Sequence, residues 1–184
     1  MAELPRPEPA ALEIVHYPAP ILKKLAREVD VFDAWLVGVV ERMKELMGRE
    51  KGVGLAAPQV GLGIRMFVWS PTGEPAEARA FVNPVISEER GQEEMEEGCL
   101  SLPEIRAKIV RYKHIHIEAQ DERGEDFELD LDEFPARVAQ HENDHLDGVL
   151  LLDRMSPVAR LANRRKVAEL EEAAGEYKKV KEKR

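Results

Sequence analysis

The sequence predicts an α+β fold in which antiparallel β-sheets pack around a central helix, with one further helix near the N-terminus and one at the C-terminus. Three observations carry that prediction. Apolar residues recur at helical spacing in three separate stretches. Between the first and second of these, the chain alternates apolar and polar residues as half-buried strands do. The links between the strand-like runs are too short for crossover helices, so neighbouring strands pair antiparallel. At 184 residues the chain suits one domain whose core needs neither disulfides nor structural metal, so any metal it binds calls for chemistry.

Residues 1–11, MAELPRPEPAA, are rich in proline and read as a flexible arm. In LEIVHYPAPILKKLAREV, Pro18 and Pro20 interrupt the apolar pattern. From Phe32 to Arg49, residues Leu36, Val39, Val40, Met43, Leu46 and Met47 share one helical face, with Asp30 or Asp33 as the cap. KGVGLAAPQVGLGI is a glycine-rich turn leading into the strand RMFVWS and the polar loop PTGEPAEARA. AFVNPVIS, AKIVRYKHIHIEAQD and DFELDLDE read as strands, the last two joined by the turn DERGED. A helix follows from Phe134 to about Asp147, with Asp132 as cap and Pro135 tolerated in the first turn. The last helix starts near Ser156, runs to Tyr177 and frays into KKVKEKR, so residues 156–184 form a basic C-terminal helix of a single domain spanning 1–184.

The net charge of −9 argues against nucleic-acid binding by the protein as a whole, yet Arg154–Arg184 holds ten Lys/Arg against five Asp/Glu. A basic tail on an acidic body suits either a docking segment for a polyanion or a solvated helix. One cysteine excludes an internal disulfide, and the N-terminus lacks the apolar stretch of a signal peptide and the character of a transit peptide. A reducing, bacterial cytoplasm is the expected location. No segment reaches the roughly 18 apolar residues of a membrane span.

The strongest local signal is QHENDH, residues 140–145. On a helix, His141 and His145 project from one face and can share a metal ion, with Glu142 beside the water such an ion activates. A catalytic metal needs a third protein ligand and an open position. No histidine follows His145, which leaves Cys99 in EEGCLS as the conspicuous candidate. A lone cysteine is otherwise a small buried hydrophobe. The flanking Gly98 leaves room for close backbone approach. A zincin-like metallopeptidase and a non-catalytic metal-binding protein both remain open on these residues.

Three ordered motifs, GVGLAAPQ (52–59), EGCLS (97–101) and QHENDH, together with HYPAPIL, FVNPVI and LDGVLLLDRMS, give a sequence that resembles the peptide deformylases over most of its length. The resemblance implies a hydrolase that removes the formyl group from the N-terminal formyl-methionine of new polypeptides. It implies Cys99, His141 and His145 as ligands of one divalent metal ion, natively Fe(II), with Zn, Ni or Co as substitutes. Glu142 becomes the proton shuttle, and the Gln59 side-chain amide and Leu100 backbone N–H become the oxyanion donors. Val53, Gly54 and Gly98 correspond to positions that pair with the substrate backbone, Phe134 and Val138 to the methionine pocket, and Arg106 to a contact with the peptide beyond. Glu97 is read either as a support of the metal site or as one more solvated glutamate. The basic tail resembles the part of the family implicated in ribosome docking. Asn143, Glu133 and Pro135 depart from the common pattern, the last two where relatives often carry glycine.

Overall fold

The computed structural model describes residues 6–182, with side chains through residue 175. Residues 1–5 of the expected arm and 183–184 of the basic tail lie outside the described residues.

Helix α1, Ala34–Arg49, forms where the spacing predicts it, and Asp33 is its cap. The Asp33 carboxylate accepts from the Trp35 and Leu36 amides, two of the donors that a helix start leaves unpaired. Leu36, Val39, Val40, Met43, Leu46 and Met47 are fully buried, each stabilising the fold by about 1.5–3 kcal/mol. From residue 6 on, the described part of the arm is docked on α1. Pro9–Ala11 form a 3-10 turn, the Trp35 indole donates to the Pro7 carbonyl at 2.9 Å, and Gly38 lets the Pro9 ring approach the helix. Proline favours this, because its fixed φ reduces the entropy lost when the segment orders.

Five strands form one antiparallel meander in chain order: β1 (Gly54–Ala56), β2 (Met66–Trp69), β3 (Arg79–Cys99), β4 (Leu102–Gln120) and β5 (Asp126–Asp132). Two features differ from the sequence expectation. Strand β1 lies inside the expected glycine-rich turn, and β3 continues through the glutamates to Cys99. Glutamate is a poor strand former, but pairing with β4 from Val82↔Gln120 to Cys99↔Leu102 holds the extended backbone. Register shifts at Val82/Val85, Ser87/Arg90 and Gly98/Cys99 interrupt this long hairpin, as bulges do where a strand bends. Strand β2 pairs with β3 only over Arg79–Val82, so among the described residues the pairing of β3 near Cys99 is with β4 alone.

Helix α2, Glu133–Leu146, is central, packing against β1, β2, β4 and β5. Ala136, Ala139 and Leu146 enter the apolar cluster beneath it, and the Gln140 amide clamps both the N–H and the carbonyl of Tyr112. Asp132 does not cap it with its side chain; that carboxylate is taken instead by His114 Nδ1 at 2.9 Å. Glu133 has φ 53°, a left-handed conformation that costs a non-glycine residue about 1–2 kcal/mol. Glycine would adopt that φ without strain, and here the strain sits beside an ion pair from Glu133 to Lys113 at 3.0 Å.

A short helix α3 (Leu151–Arg154) precedes α4 (Pro157–Glu182). Ala159, Val167 and Leu170 of α4 pack on the cluster around Leu102, Ile105 and Ile109. Asn163 and Lys166 donate to the carbonyls of Arg106 and Glu104, and Tyr17 donates to Glu171 at 2.6 Å. Among the described residues no helix is long and apolar enough to cross a membrane.

Candidate metal centre

Cys99 ends β3 where that strand faces α2, and His141 and His145 lie one turn apart on the helix with ring centroids 5.2 Å apart. One ligand atom from each of the three lies within 4.8 Å of the others, and Cys99 Sγ is 3.3 Å from His145 Nε2. A cation bonded at about 2.0–2.3 Å to two imidazoles and a sulfur needs this spacing with only small shifts. The donor set therefore fits a metal ion of intermediate softness.

Around the ligands the polar groups are arranged in pairs, with two exceptions. His141 Nδ1 lies 2.9 Å from Glu97 Oε2. The Glu97 carboxylate also accepts from Arg111 Nε at 2.7 Å, Arg111 Nη2 at 3.0 Å and Arg137 Nη1 at 2.6 Å. Burial raises the Glu97 pKa, but the bonds from His141 and Arg111 outweigh it and hold the group at about 2. Arg111 reaches on to Asp144 at 2.9 Å. The exceptions are Glu142 Oε2 and His145 Nδ1, buried without a protein partner among the described residues. Burial pushes Glu142 up to about 7, with His141 and Arg111 opposing. Burial opposes charge on His141, yet the Cys99 sulfur and Glu97 push it up to about 10. His145 is lowered, by burial first and then by the charge on His141.

Residues 11–161 match the sequence profile of the polypeptide deformylases. This chain belongs to the peptide deformylase family. It is 46% identical to a peptide deformylase of Thermotoga neapolitana over 156 residues, covering 84% of this chain and 93% of the relative. A chloroplastic/mitochondrial peptide deformylase 1B of Arabidopsis thaliana is 45% identical over 148 residues, 79% of this chain and 54% of that longer protein. Among solved structures, a plant peptide deformylase superposes with a TM-score of 0.87 at 41% identity, covering 91% of this chain and 92% of the other. Family membership makes the chain a metal-dependent hydrolase that deformylates peptides, a step of protein biosynthesis.

Within this deformylase fold the other residues singled out in the sequence take definite positions. Gln59 is buried; its Oε1 accepts from the Ala56 N–H at 2.8 Å, which turns Nε2 toward Ser101 Oγ at 3.3 Å and Cys99 Sγ at 3.5 Å. Leu100 follows Cys99 in the turn to β4, and its side chain leans so close to Gly52 that a Cβ there would meet it at 2.9 Å. Gly54 stands against Glu142, where a Cβ would come within 2.5 Å of Oε1. The Val53 carbonyl is already taken by the Ser70 N–H at 2.9 Å. Gly98 faces Arg106 across β3 and β4, and the Arg106 side chain is exposed. Val138 is buried yet belongs to none of the three apolar clusters among the described residues, while Phe134 is 45% exposed. Asn143 faces away from the ligands, toward Asp147 and Arg65.

Sequence reading missed Arg111, Arg137, Asp144 and Ser101. Two of these left a trace. Arg111 falls in phase with the buried Ile105, Ala107 and Ile109 of β4, where alternation calls for an apolar residue. Arg137 lies one helical turn before His141 and therefore on its face.

Proposed function

We propose that Cys99, His141 and His145 hold the metal at which this deformylase cleaves formyl-methionine N-termini, with Fe(II) as the native ion and Zn, Ni or Co as substitutes. The observation that carries the assignment is the convergence of the three ligand atoms within 4.8 Å, beside a Glu142 carboxylate oxygen that no other group among the described residues engages. A divalent cation held there supplies Lewis acidity, polarising a carbonyl and making water acidic near neutral pH.

The chain's own groups do the rest. Glu142 takes a proton from the attacking water and delivers it to the departing amine nitrogen, so formate and a free N-terminus are released; its buried carboxylate, with one oxygen unpartnered among the described residues, is placed for both transfers. The Gln59 Nε2 and the Leu100 N–H donate to the oxygen that gains charge during attack. Support for Gln59 comes from its locked amide, whose carbonyl side is held by Ala56 so that only the donor side faces Cys99. Gly54 and Gly98 pair with the extended substrate backbone, a mode in which main-chain bonds give affinity regardless of sequence. Among the described residues β3 has no second strand partner beside Cys99, which supports this. Val53 joins them without its carbonyl, which Ser70 occupies. Phe134 and Val138 line the methionine pocket, and Arg106 contacts the following residues. The reaction is proposed to run in a bacterial cytoplasm, and the basic tail to dock on the ribosome, which the charge asymmetry of the chain supports.

Anaerobically purified, iron-loaded protein is expected to release formate from a formyl-Met tripeptide. Glu142→Ala should keep its metal and lose about 10²–10⁴-fold in rate. An unchanged rate with metal retained means that Glu142 is not the proton shuttle.

A further inference from the structure

We propose that Arg137 is a positioning residue for the metal centre, acting through Glu97 on the ring of His141. The inference rests on the proposed ligand set and extends it to a side chain that touches neither metal nor substrate.

A metal-binding histidine is oriented by whatever holds its second ring nitrogen. For His141 that partner is Glu97, at 2.9 Å from Nδ1. A carboxylate has room for about four hydrogen bonds, and Glu97 uses all four, with Oε1 shared by Arg111 and Arg137 and Oε2 by Arg111 and His141. Arg111 alone makes the two-toothed pair that fixes the carboxylate plane. Arg111 ties β4 to Glu97 of β3 and to Asp144 of α2; Arg137 adds a second tie to both strands, anchored on α2 one turn before His141. It is buried, and besides Glu97 it donates to the Ile109 carbonyl of β4 at 2.9 Å and the Glu93 carbonyl of β3 at 2.6 Å. The strand that carries Glu97 and Cys99 is thereby tied to the helix that carries His141 one turn further on. Glu97 faces Arg111 and Arg137, and Asp144 faces Arg111 and Arg154, so neither carboxylate is left as an unpaired ion.

An arginine with three acceptors on two strands also holds the fold, so the test must separate that role from action through Glu97. Zn(II) affinity is measured by chelator competition for wild type, Arg137→Met, Glu97→Gln and the double variant. Arg137→Met is expected to weaken Zn(II) binding by about 10–100-fold, to shift the visible spectrum of the Co(II) form, and to add little when Glu97 is already Gln. An unchanged affinity overturns the proposal, as does an equal loss with and without Glu97. Should Arg137→Met fail to fold, Arg137→Lys is taken through the same cycle; it keeps the cation but cannot reach all three acceptors. A smaller loss that is absent from the Glu97→Gln background is expected, and no loss overturns the proposal. The measurement uses no substrate, so a wild type that binds Zn(II) but releases no formate defeats the catalytic reading alone.

Discussion

Replacing Gly54 with alanine tests the placement of Glu142 without touching a ligand or the carboxylate itself. Residue 54 has no left-handed φ, so alanine introduces no backbone strain. Its Cβ would lie 2.5 Å from Glu142 Oε1 and 2.9 Å from Cγ and Cδ, where ordinary contact begins at 3.4 Å. The carboxylate must therefore retreat by about 0.9 Å. A misplacement near 1 Å at a reacting group costs about 10²-fold, equivalent to about 2.7 kcal/mol of barrier. The backbone N–H and carbonyl of residue 54 survive the change, so the loss should fall on kcat and leave KM nearly intact. Steady-state formate release across peptide concentrations, with metal content and thermal midpoint measured on the same sample, reads the effect. A kcat within about threefold of wild type, or a change confined to KM, refutes the reasoning.

Other expectations follow from the same geometry. Cys99→Ala should lose metal at neutral pH, measured by metal analysis after dialysis, because two histidines alone hold the ion weakly. In the metal-free protein Glu97 is held at about 2 against an ordinary 4.5. A depressed carboxyl contributes stability that is complete above 4.5 and fades as pH falls toward 2. Denaturant unfolding of Glu97→Gln should accordingly converge on wild type across that acid window. Tyr17 is pushed up to about 12, chiefly by its bond to Glu171. That contribution is complete below pH 10 and is lost as pH rises through 12. Tyr17→Phe should flatten the alkaline loss of α4 docking, followed by hydrogen exchange along that helix.

The sequence by itself determined the periodic and the local. Helix α1 and its six buried residues follow from spacing and from the short reach of an Asp33 cap; the pair His141 and His145 follows from the helical turn. What spacing cannot carry is pairing between distant segments. The extension of β3 through its glutamates depends on β4 supplying partners for the backbone, and no local preference of those residues signals it. Asp132 looked like a cap because its type and position fit, but His114, across the β4–β5 ladder, engages its carboxylate. Glu97 is the sharpest case. In sequence it is one glutamate of several, and only folding sets it against Arg111 from β4 and against Arg137 and His141 from α2, buried where its neighbours Glu94 and Glu96 are exposed. An ion can remain inside a protein only where opposite charges and donors converge on it, and convergence is a property of the tertiary structure.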